Sequence, residues 1–335
     1  SAEGAVGRGR STLFPTRPSS EKEGQRQKTI LNRNRTMKLY RFLLICAAAV
    51  TAACTEEPRD FDMTPAAPPA PEEQYAAPTN PLGSIVVAHR GGATESGHPD
   101  NSLAGLKYAL DLKVYAVECD IYATADNRVI VAHATQGCLV NGLKPWEHTY
   151  DELCAAGTLS NGERLPLLED FLEEVMRAGT SKLWLDVKNI LVDGSSAGYT
   201  GFSARSCQLA CQVIERMKAR NFVEFIVTSN KTVWTLCYSA AQSAGVRAGW
   251  MGYVAPAEYQ TYIDPWINID ASNIWFDGTA GSGQWGIDDY ASAGVEVSVF
   301  TIDKDVDAAY YANYIDRLRA IATNYPKKLI GTFRK

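Results

Sequence analysis

This 335-residue chain has no excess of basic over acidic residues. It also has few long apolar runs and few histidines. The formal net charge is −5, which argues against nucleic acid as a partner because a phosphate backbone binds to a basic surface. One phosphate group in a small pocket is still compatible with that charge. An apolar run near the start, residues 42–53, is shorter than the roughly 20 residues that a membrane-spanning helix needs. The chain contains only four histidines.

The eight cysteines lack the spacing of a metal site. Cys46 lies in the apolar run and Cys54 follows it directly. The other six are Cys119, Cys138, Cys154, Cys207, Cys211 and Cys237. A disulfide between Cys138 and Cys154 is compatible with an exported protein, and buried free thiols are the alternative.

Three segments precede the part of the chain that we expect to fold. Residues 1–36 are polar, basic and without periodicity, which predicts a disordered or non-native leader. Residues 37–53 join a basic start to an apolar stretch and end in small residues before Cys54, a pattern similar to a bacterial lipoprotein signal peptide. Residues 54–80 form a Pro/Ala/Glu-rich linker that cannot bury a core. We therefore predict an exported cell-envelope lipoprotein, on the periplasmic or surface face, anchored through Cys54. An ordinary signal peptide is the alternative.

Residues 81–335 are enough for one large domain, in which apolar strand-like runs alternate with helix-like segments. The predicted strands are 85–89, 116–122, 183–188, 225–229, 247–251, 273–276, 295–301 and a short strand ending near 322–323. The predicted helices are 102–112, 168–177, 206–220, 232–244, 256–262, 287–293 and 306–319. Eight strands with intervening helices predict an α/β fold of the (β/α)8 TIM-barrel type, with a small hairpin excursion after strand 2.

The hairpin excursion relates Asp120 to His133. Asp126-Asn127 is interpreted as a two-residue turn between strand 2 and a second arm at 128–133. Cross-strand partners in such a hairpin have position numbers with a constant sum, which places Asp120 opposite His133. Glu118 then shares the face of Asp120, because side chains alternate along a strand.

Three carboxylates are expected to meet at the carboxyl ends of the strands, where TIM barrels carry their chemistry. Glu118 and Asp120 come from strand 2 and Asp186 from strand 3. Like charges at short range repel one another unless a cation lies between them, and oxygen ligands favour a hard divalent ion, Mg2+ or Ca2+. The alternative is that Glu118 and Asp120 form ion pairs with Arg90 and Lys188.

Two histidines and two cations complete the candidate site. His89 and His133 each end an apolar strand near the carboxylates, which favours acid–base catalysis over two buried core histidines. Arg90 precedes Gly91-Gly92 and can hold a phosphate, although the glycines also fit a turn that needs positive φ. Lys188 is expected to bind a phosphate oxygen, and a solvent-facing lysine is the alternative.

Further assignments concern one helix start and two aromatic residues. Asp100-Asn101-Ser102 precedes a predicted helix, which at least one of these residues is expected to cap, and the alternative role of Asp100 is to join the metal network behind the direct ligands. Trp250 and Phe300 are candidates for a wall of the substrate pocket, with core packing as the alternative.

These residues resemble the glycerophosphodiester phosphodiesterase family of phospholipase-C-like barrels, from about residue 85 to 326. The family motifs are His-Arg-Gly, Pro-Glu-Asn-Thr, Glu-x-Asp, the strand ending in the second histidine, Ile-Pro-Thr-Leu-Glu, Glu-Ile-Lys, Trp-Thr-Val-Asn and Thr-Asp-x-Pro. This chain has His89-Arg90-Gly91, Pro99-Asp100-Asn101-Ser102, Glu118-Cys119-Asp120, Val131-Ala132-His133, Arg164-Leu165-Pro166-Leu167-Leu168-Glu169, Asp186-Val187-Lys188, Phe300-Thr301-Ile302-Asp303 and Thr323-Asn324-Tyr325-Pro326 at the corresponding places.

The resemblance implies metal-dependent cleavage of a glycerophosphodiester to glycerol 3-phosphate and an alcohol. His89 and His133 would be the acid and the base. Glu118, Asp120 and Asp186 would hold the metal, while Arg90 and Lys188 would stabilise the phosphoryl oxygens.

Three departures from the family pattern bear on the metal site and the substrate. Asp186 and Asp100 each replace a glutamate, and the residues after His133 do not follow the Asp and Arg-Thr-Thr of the family. In the family this loop lines the substrate side of the site, so the resemblance does not identify the alcohol that is released. The alternatives are a lysophospholipase D or phosphoinositide-type lyase on the same barrel, and a lipoprotein that binds phosphodiester groups without turnover.

Overall fold

The computed structural model describes residues 76–135, 137–190, 200–271 and 284–335. The leader, the signal peptide, Cys54 and most of the linker lie outside these ranges, so their assignments stay predictions. In the described ranges, no helix combines the length and the apolar character needed to cross a bilayer.

Eight parallel strands close into a barrel, which confirms the predicted TIM-barrel fold. In chain order the strands are β1 (Val86–Ala88), β2 (Ala116–Ala123), β3 (Val129–Val131), β4 (Lys182–Val187), β5 (Val223–Val227), β6 (Arg247–Met251), β7 (Trp266–Asp270), β8 (Glu296–Phe300) and β9 (Leu318–Thr323). The barrel runs from β1 through β2 and β4 to β9, and β9 pairs with β1 to complete the ring. β3 pairs antiparallel with β2 outside the ring and is the predicted hairpin excursion.

Helices cover the outside of the barrel between successive strands. They are α1 (Ala93–Ser96), α2 (Leu103–Asp111), α3 (Tyr150–Ala156), α4 (Leu168–Ala178), α5 (Thr200–Arg216), α6 (Lys231–Ser243), α7 (Ile287–Ser292), α8 (Asp305–Ala312) and α9 (Pro326–Leu329). Most strand residues are buried because helices cover one face and the barrel interior the other, as in other parallel sheets. The six cysteines in the described ranges are free thiols, and four of them are buried.

Two predictions near the end of the chain have different outcomes. The strand predicted at 273–276 lies outside the described residues, and the strand between β6 and β8 is β7 (Trp266–Asp270). The helix predicted at 306–319 ends at Ala312, and β9 begins at Leu318. Pairing with β1 and β8 draws Leu318 and the residues after it into the sheet, so tertiary contacts outweigh the helical pattern there.

The hairpin register is one residue away from the predicted one. Ile121 pairs with Val131, and the Ala132 amide donates to the Asp120 carbonyl, so Ala132 rather than His133 lies opposite Asp120. The cause is the turn: Asn127 adopts φ 62°, and Thr124 pairs with Arg128 around a three-residue loop. A two-residue hairpin loop is a type I′ turn with positive φ at both central positions or a type II′ turn with glycine at the first, and Asp126-Asn127 supplies no glycine for either.

A buried ionic cluster closes the amino-terminal end of the barrel. Glu224 at the start of β5 forms ion pairs with Lys182 of β4 and with Arg319 of β9, the latter at 2.7 Å. The indole of Trp184 also donates to Glu224, at 2.9 Å. Burial raises the pKa of Glu224, but attraction by Arg319 and Lys182 outweighs it and brings the pKa to about 2. The cluster therefore joins three strands of the ring through one ionised carboxylate.

We predict that Glu224→Gln lowers the free energy of unfolding at pH 7 by about 3–5 kcal/mol, because it removes the buried charge that pairs with Lys182 and leaves the buried Arg319 with Glu296 alone. A pKa below the ordinary value of 4.5 means that the contribution of Glu224 is present above pH 4.5 and lost as the pH falls toward 2. Urea unfolding between pH 2 and 7 measures both effects. The exposed Glu215→Gln serves as the control. Equal stability of Glu224→Gln and wild type at pH 7 would contradict this account of the cluster.

Candidate active site

The polar residues predicted at strand ends lie at the carboxyl end of the barrel. His89 and Arg90 follow β1, Glu118 and Asp120 belong to β2, and Asp186 belongs to β4. In the β2–β4 ladder Asp120 pairs with Asp186. Glu118 lies two residues before Asp120 and so faces the same side of the sheet.

The three predicted carboxylates form a compact buried cluster. One carboxylate oxygen from each of Glu118, Asp120 and Asp186 lies within 4.8 Å of the other two. Their exposed fractions are 3%, 0% and 5%. Burial of several acidic groups this close together is unfavourable unless positive charge accompanies them.

Two side-chain cations supply part of that positive charge. Lys188 Nζ forms ion pairs with Asp120 and Asp186, and Arg90 Nε lies 3.3 Å from Asp120 Oδ2. The ion-pairing alternative therefore holds for Asp120, whereas Glu118 forms no such pair with Arg90 or Lys188 among the described residues. Burial raises the pKa of Asp120, but Lys188 and Arg90 outweigh it and hold that pKa below its usual value.

The same cations do not neutralise the whole cluster. Burial and repulsion by Asp120 raise the pKa of Glu118. Burial also raises the pKa of Asp186, and the attraction of Lys188 does not offset it. Within the described ranges, Asp186 Oδ1 is buried without a hydrogen-bond partner. A set of three carboxylates with an unsatisfied oxygen fits a hard divalent cation.

From the sequence Asn101 was only a candidate helix cap, yet its side chain fixes the orientation of Asp120. Its side-chain amide donates to Asp120 Oδ2 at 2.8 Å, and its Oδ1 accepts from the Asp120 backbone amide at 3.1 Å. Asn101 is buried and has a φ of 59°, a conformation that asparagine tolerates better than most residues. The Pro99-Asp100-Asn101-Ser102 motif was the available signal.

The neighbours of Asn101 take two different roles. Ser102 is the N-cap of α2 and accepts a hydrogen bond from the Gly105 amide. Asp100 is exposed and lies 3.0 Å from Arg90 NH1. The capping alternative therefore holds for Ser102, while Asp100 contacts the site through Arg90.

His89 lies between the carboxylate cluster and the loop after β9. Its Nδ1 is 2.8 Å from Asn324 Oδ1, and its Nε2 is 3.8 Å from Glu118 Oε2. Burial lowers the pKa of His89, and the hydrogen bond to Asn324 offsets this only in part. The ring is therefore neutral near pH 7 and presents Nε2 to the cluster.

His133 follows β3 and is exposed at the mouth. Partial desolvation lowers its pKa, and the negative charge of Asp120 opposes that shift. Because Arg90 and Lys188 also act on this pKa, the ring lies in the field of the same charged groups as His89. The register does not place His133 opposite Asp120, so it reaches the mouth from the loop beyond β3.

The Arg90-Gly91-Gly92 segment is a tight turn, as the alternative interpretation of the glycines predicts. Arg90 has a φ of 49°, and its amide donates to Glu118 Oε2 at 2.9 Å. Gly91 has a φ of 83°, and a Cβ there would lie 2.9 Å from the backbone of Gly105. Gly92 has a φ of 70°. The turn needs glycine for backbone packing, and it directs both the amide and the guanidinium of Arg90 toward the carboxylates.

A cavity of about 240 Å³ lies at the ends of β5 to β8, across the mouth from the carboxylates. It is lined by Thr228, Ser229, Met251, Gly252, Tyr253, Asp270 and Phe300. The prediction for Trp250 was wrong: its side chain is 3% exposed and stacks on Trp234 of α6, with ring centroids 5.4 Å apart. Alternation along β6 turns Met251 into the cavity and Trp250 toward the helices.

Comparisons with known proteins agree with this arrangement. The sequence profile of the Glycerophosphoryl diester phosphodiesterase family matches residues 89–328. A solved glycerophosphodiester phosphodiesterase from Parabacteroides distasonis superposes with a TM-score of 0.59 at 24% identity, over 74% of this chain and 95% of that chain. A comparison with curated proteins found no match.

Two further solved structures share the fold. A phosphodiesterase from Oleispira antarctica, in complex with the product sn-glycerol-3-phosphate, superposes with a TM-score of 0.56 at 19% identity, over 75% of this chain and 96% of that chain. A glycerophosphodiester phosphodiesterase from Thermotoga maritima superposes with a TM-score of 0.54 at 15% identity, over 74% and 97% of the two chains.

We predict that the chelator-treated protein binds one divalent cation and that Asp186→Asn weakens this binding at least tenfold. At a free cation concentration one hundred times Kd, binding to the folded state would add about 2.7 kcal/mol to the free energy of unfolding, because the unfolded chain lacks the site. Titration calorimetry and the thermal midpoint, each with Mg2+ and Ca2+, measure these effects. The exposed Asp316→Asn is the matched control. Equal cation affinity of Asp186→Asn and Asp316→Asn would contradict the assignment of the carboxylates.

Proposed function

The chain belongs to the glycerophosphoryl diester phosphodiesterase family, and we propose that it hydrolyses a glycerophosphodiester to glycerol 3-phosphate and an alcohol by acid–base catalysis at His89 and His133. The observation that carries the proposal is the buried cluster of three carboxylates with His89 at its edge. Binding of a phosphodiester without turnover would need the cations but neither histidine.

Arg90 and Lys188 hold the phosphate group in this proposal. The guanidinium of Arg90 is held between Asp100 and Asp120 and offers a planar set of donors that suits phosphate oxygens. Burial lowers the pKa of Lys188, but attraction by Asp186 and Asp120 outweighs it and raises the pKa well above its usual value. Lys188 therefore stays protonated and can stabilise negative charge that develops on the phosphoryl oxygens.

Glu118, Asp120 and Asp186 would hold the divalent ion on which this family depends, and we propose Mg2+ or Ca2+ because all three ligands are carboxylates. When bound, such an ion supplies positive charge to a phosphoryl oxygen and lowers the pKa of a hydroxyl that it contacts. Asn101 keeps Asp120 oriented for this role.

The two histidines divide the proton transfers between them. His89 Nε2 faces the carboxylate cluster and takes the proton of the substrate hydroxyl next to the phosphate. That oxygen attacks phosphorus while His133, on the open side of the mouth, protonates the departing alcohol. Water then attacks the cyclic phosphate with the two histidines in reversed roles, which gives glycerol 3-phosphate.

We predict that the protein from Cys54 onward releases glycerol 3-phosphate from at least one of glycerophosphocholine, glycerophosphoethanolamine and glycerophosphoinositol, and that EDTA abolishes the reaction. His89→Ala and His133→Ala should each lower kcat by about 100-fold or more without a change in the thermal midpoint, because each removes one proton transfer. His148→Ala is the matched control, since its Nδ1 contacts only the Lys144 carbonyl among the described hydrogen bonds.

Four outcomes of this assay, with lysolipids added as substrates, would contradict the proposal. No turnover with metal present favours a binding lipoprotein. Turnover of lysolipids alone favours a lysophospholipase D, and accumulation of a cyclic phosphate favours a lyase. A near-normal rate for either histidine variant would refute the acid–base pair.

The location of the protein is a separate proposal that rests on residues 37–80. We propose that export and lipidation of Cys54 tether the barrel to a bacterial envelope membrane through the Pro/Ala/Glu-rich linker. Cys54→Ser should move the protein from the membrane to the soluble fraction of fractionated cells, whereas Cys46→Ser should not. Continued membrane association of Cys54→Ser would exclude this anchor.

A further inference from the structure

We propose that Asn324 and Asp303 form a positioning pair that holds His89 in a single tautomer, with the proton on Nδ1. The inference rests on the proposed function for its catalytic consequence, because the tautomer matters to turnover only if His89 moves a proton. Asn324 follows β9 and Asp303 follows β8, so the pair joins two neighbouring strand ends to the end of β1.

The orientation of the Asn324 amide follows from its contact with Asp303. Asn324 Nδ2 lies 2.7 Å from Asp303 Oδ2, and a carboxylate can only accept hydrogen bonds. The other oxygen, Asp303 Oδ1, accepts from the Asn324 backbone amide at 2.9 Å and from the Thr323 hydroxyl at 3.0 Å. The carboxylate is thus held from both sides, and the amide nitrogen must point toward it.

This orientation leaves Asn324 Oδ1 facing His89 Nδ1 at 2.8 Å. An amide oxygen only accepts, so Nδ1 carries the proton whenever the ring is neutral. The lone pair is then on Nε2, the nitrogen that lies 3.8 Å from Glu118. In the opposite tautomer Nε2 would already bear a proton and could not accept one from a substrate.

The family motifs indicate that the two positions have exchanged side chains. Where the family pattern has Trp-Thr-Val-Asn and Thr-Asp-x-Pro, this chain has Asp303 in place of the asparagine and Asn324 in place of the aspartate. The hydrogen bond between Asn324 and Asp303 explains why this chain has both substitutions rather than one. With either order, one acceptor oxygen faces His89 and one amide donates to one carboxylate. Two amides would leave the orientation unfixed, and two carboxylates 2.7 Å apart would repel.

The tautomer can be read directly in protein labelled with 15N at histidine. A two-bond 1H–15N correlation spectrum at pH 8 distinguishes protonated from unprotonated ring nitrogens, and the chain has only four histidines to assign. His89→Ala identifies the signal of His89. We expect Nδ1–H in the wild type and in Asp303→Asn/Asn324→Asp, and a tautomer mixture in Asn324→Ala. An Nε2–H signal in the wild type, or an unchanged tautomer in Asn324→Ala, would overturn the inference.

The kinetic consequence is a change in kcat rather than in KM. Asn324→Ala should lower kcat about tenfold or more with KM changed less than about threefold, because the base is misoriented while the phosphate contacts remain. The double exchange should be more active than either Asp303→Asn or Asn324→Asp alone, a coupling that only a shared role produces. Asn313→Ala, an exposed asparagine that contacts carbonyls of α8, is the matched control.

The two readouts separate this inference from the proposed function. If the wild type hydrolyses no glycerophosphodiester but the spectra change as expected, the proposed function fails and the positioning pair stands. If the wild type is active and the double exchange shows no recovery over the single variants, the pair is refuted. Equal thermal midpoints for the variants and the wild type exclude unfolding as the cause of lost activity.

Discussion

The buried contact between Glu118, Asp120 and Asp186 is the constraint on which the rest of the barrel mouth depends. Three carboxylates on two neighbouring strands repel one another and lose their hydration. Lys188, the Arg90 guanidinium and the Arg90 amide all point at this cluster, and the tight turn at Gly91-Gly92 directs the last two. The pKa values of Glu118 and Asp186 are nevertheless raised, so the side-chain cations compensate only part of the repulsion.

The opposite end of the barrel contains a buried acid, Glu224, whose pKa is lowered rather than raised. Glu224 is matched by Lys182 and Arg319, and its pKa falls to about 2. At the base the chain supplies its own cations and the cluster stabilises the fold. At the mouth the charge stays unbalanced, which is the pattern expected where a ligand completes the set. The contrast between the ends distinguishes a structural cluster from a functional one on physical grounds.

The sequence predicts the barrel and most of the mouth because both follow from strand periodicity. Polar residues that end apolar runs, such as His89 and Asp186, must meet at one end of a parallel barrel. The predicted hairpin register was wrong by one residue, because Asn127 takes a left-handed conformation and the turn is one residue longer than strand periodicity indicates. Trp250 faces the helices because position 249 faces the barrel interior, where a Cβ on Gly249 would lie 2.5 Å from the Trp266 ring. The roles of Asn101 and Asn324 depend on contacts between segments far apart in the chain.

Hydrolysis at phosphorus within this mouth is the central claim, and its most direct measurement is 31P NMR of the products formed in water enriched in 18O. The account predicts glycerol 3-phosphate with one solvent oxygen on phosphorus and an alcohol that contains none. A cyclic phosphate as the final product, or glycerol 3-phosphate without a solvent oxygen on phosphorus, would contradict it.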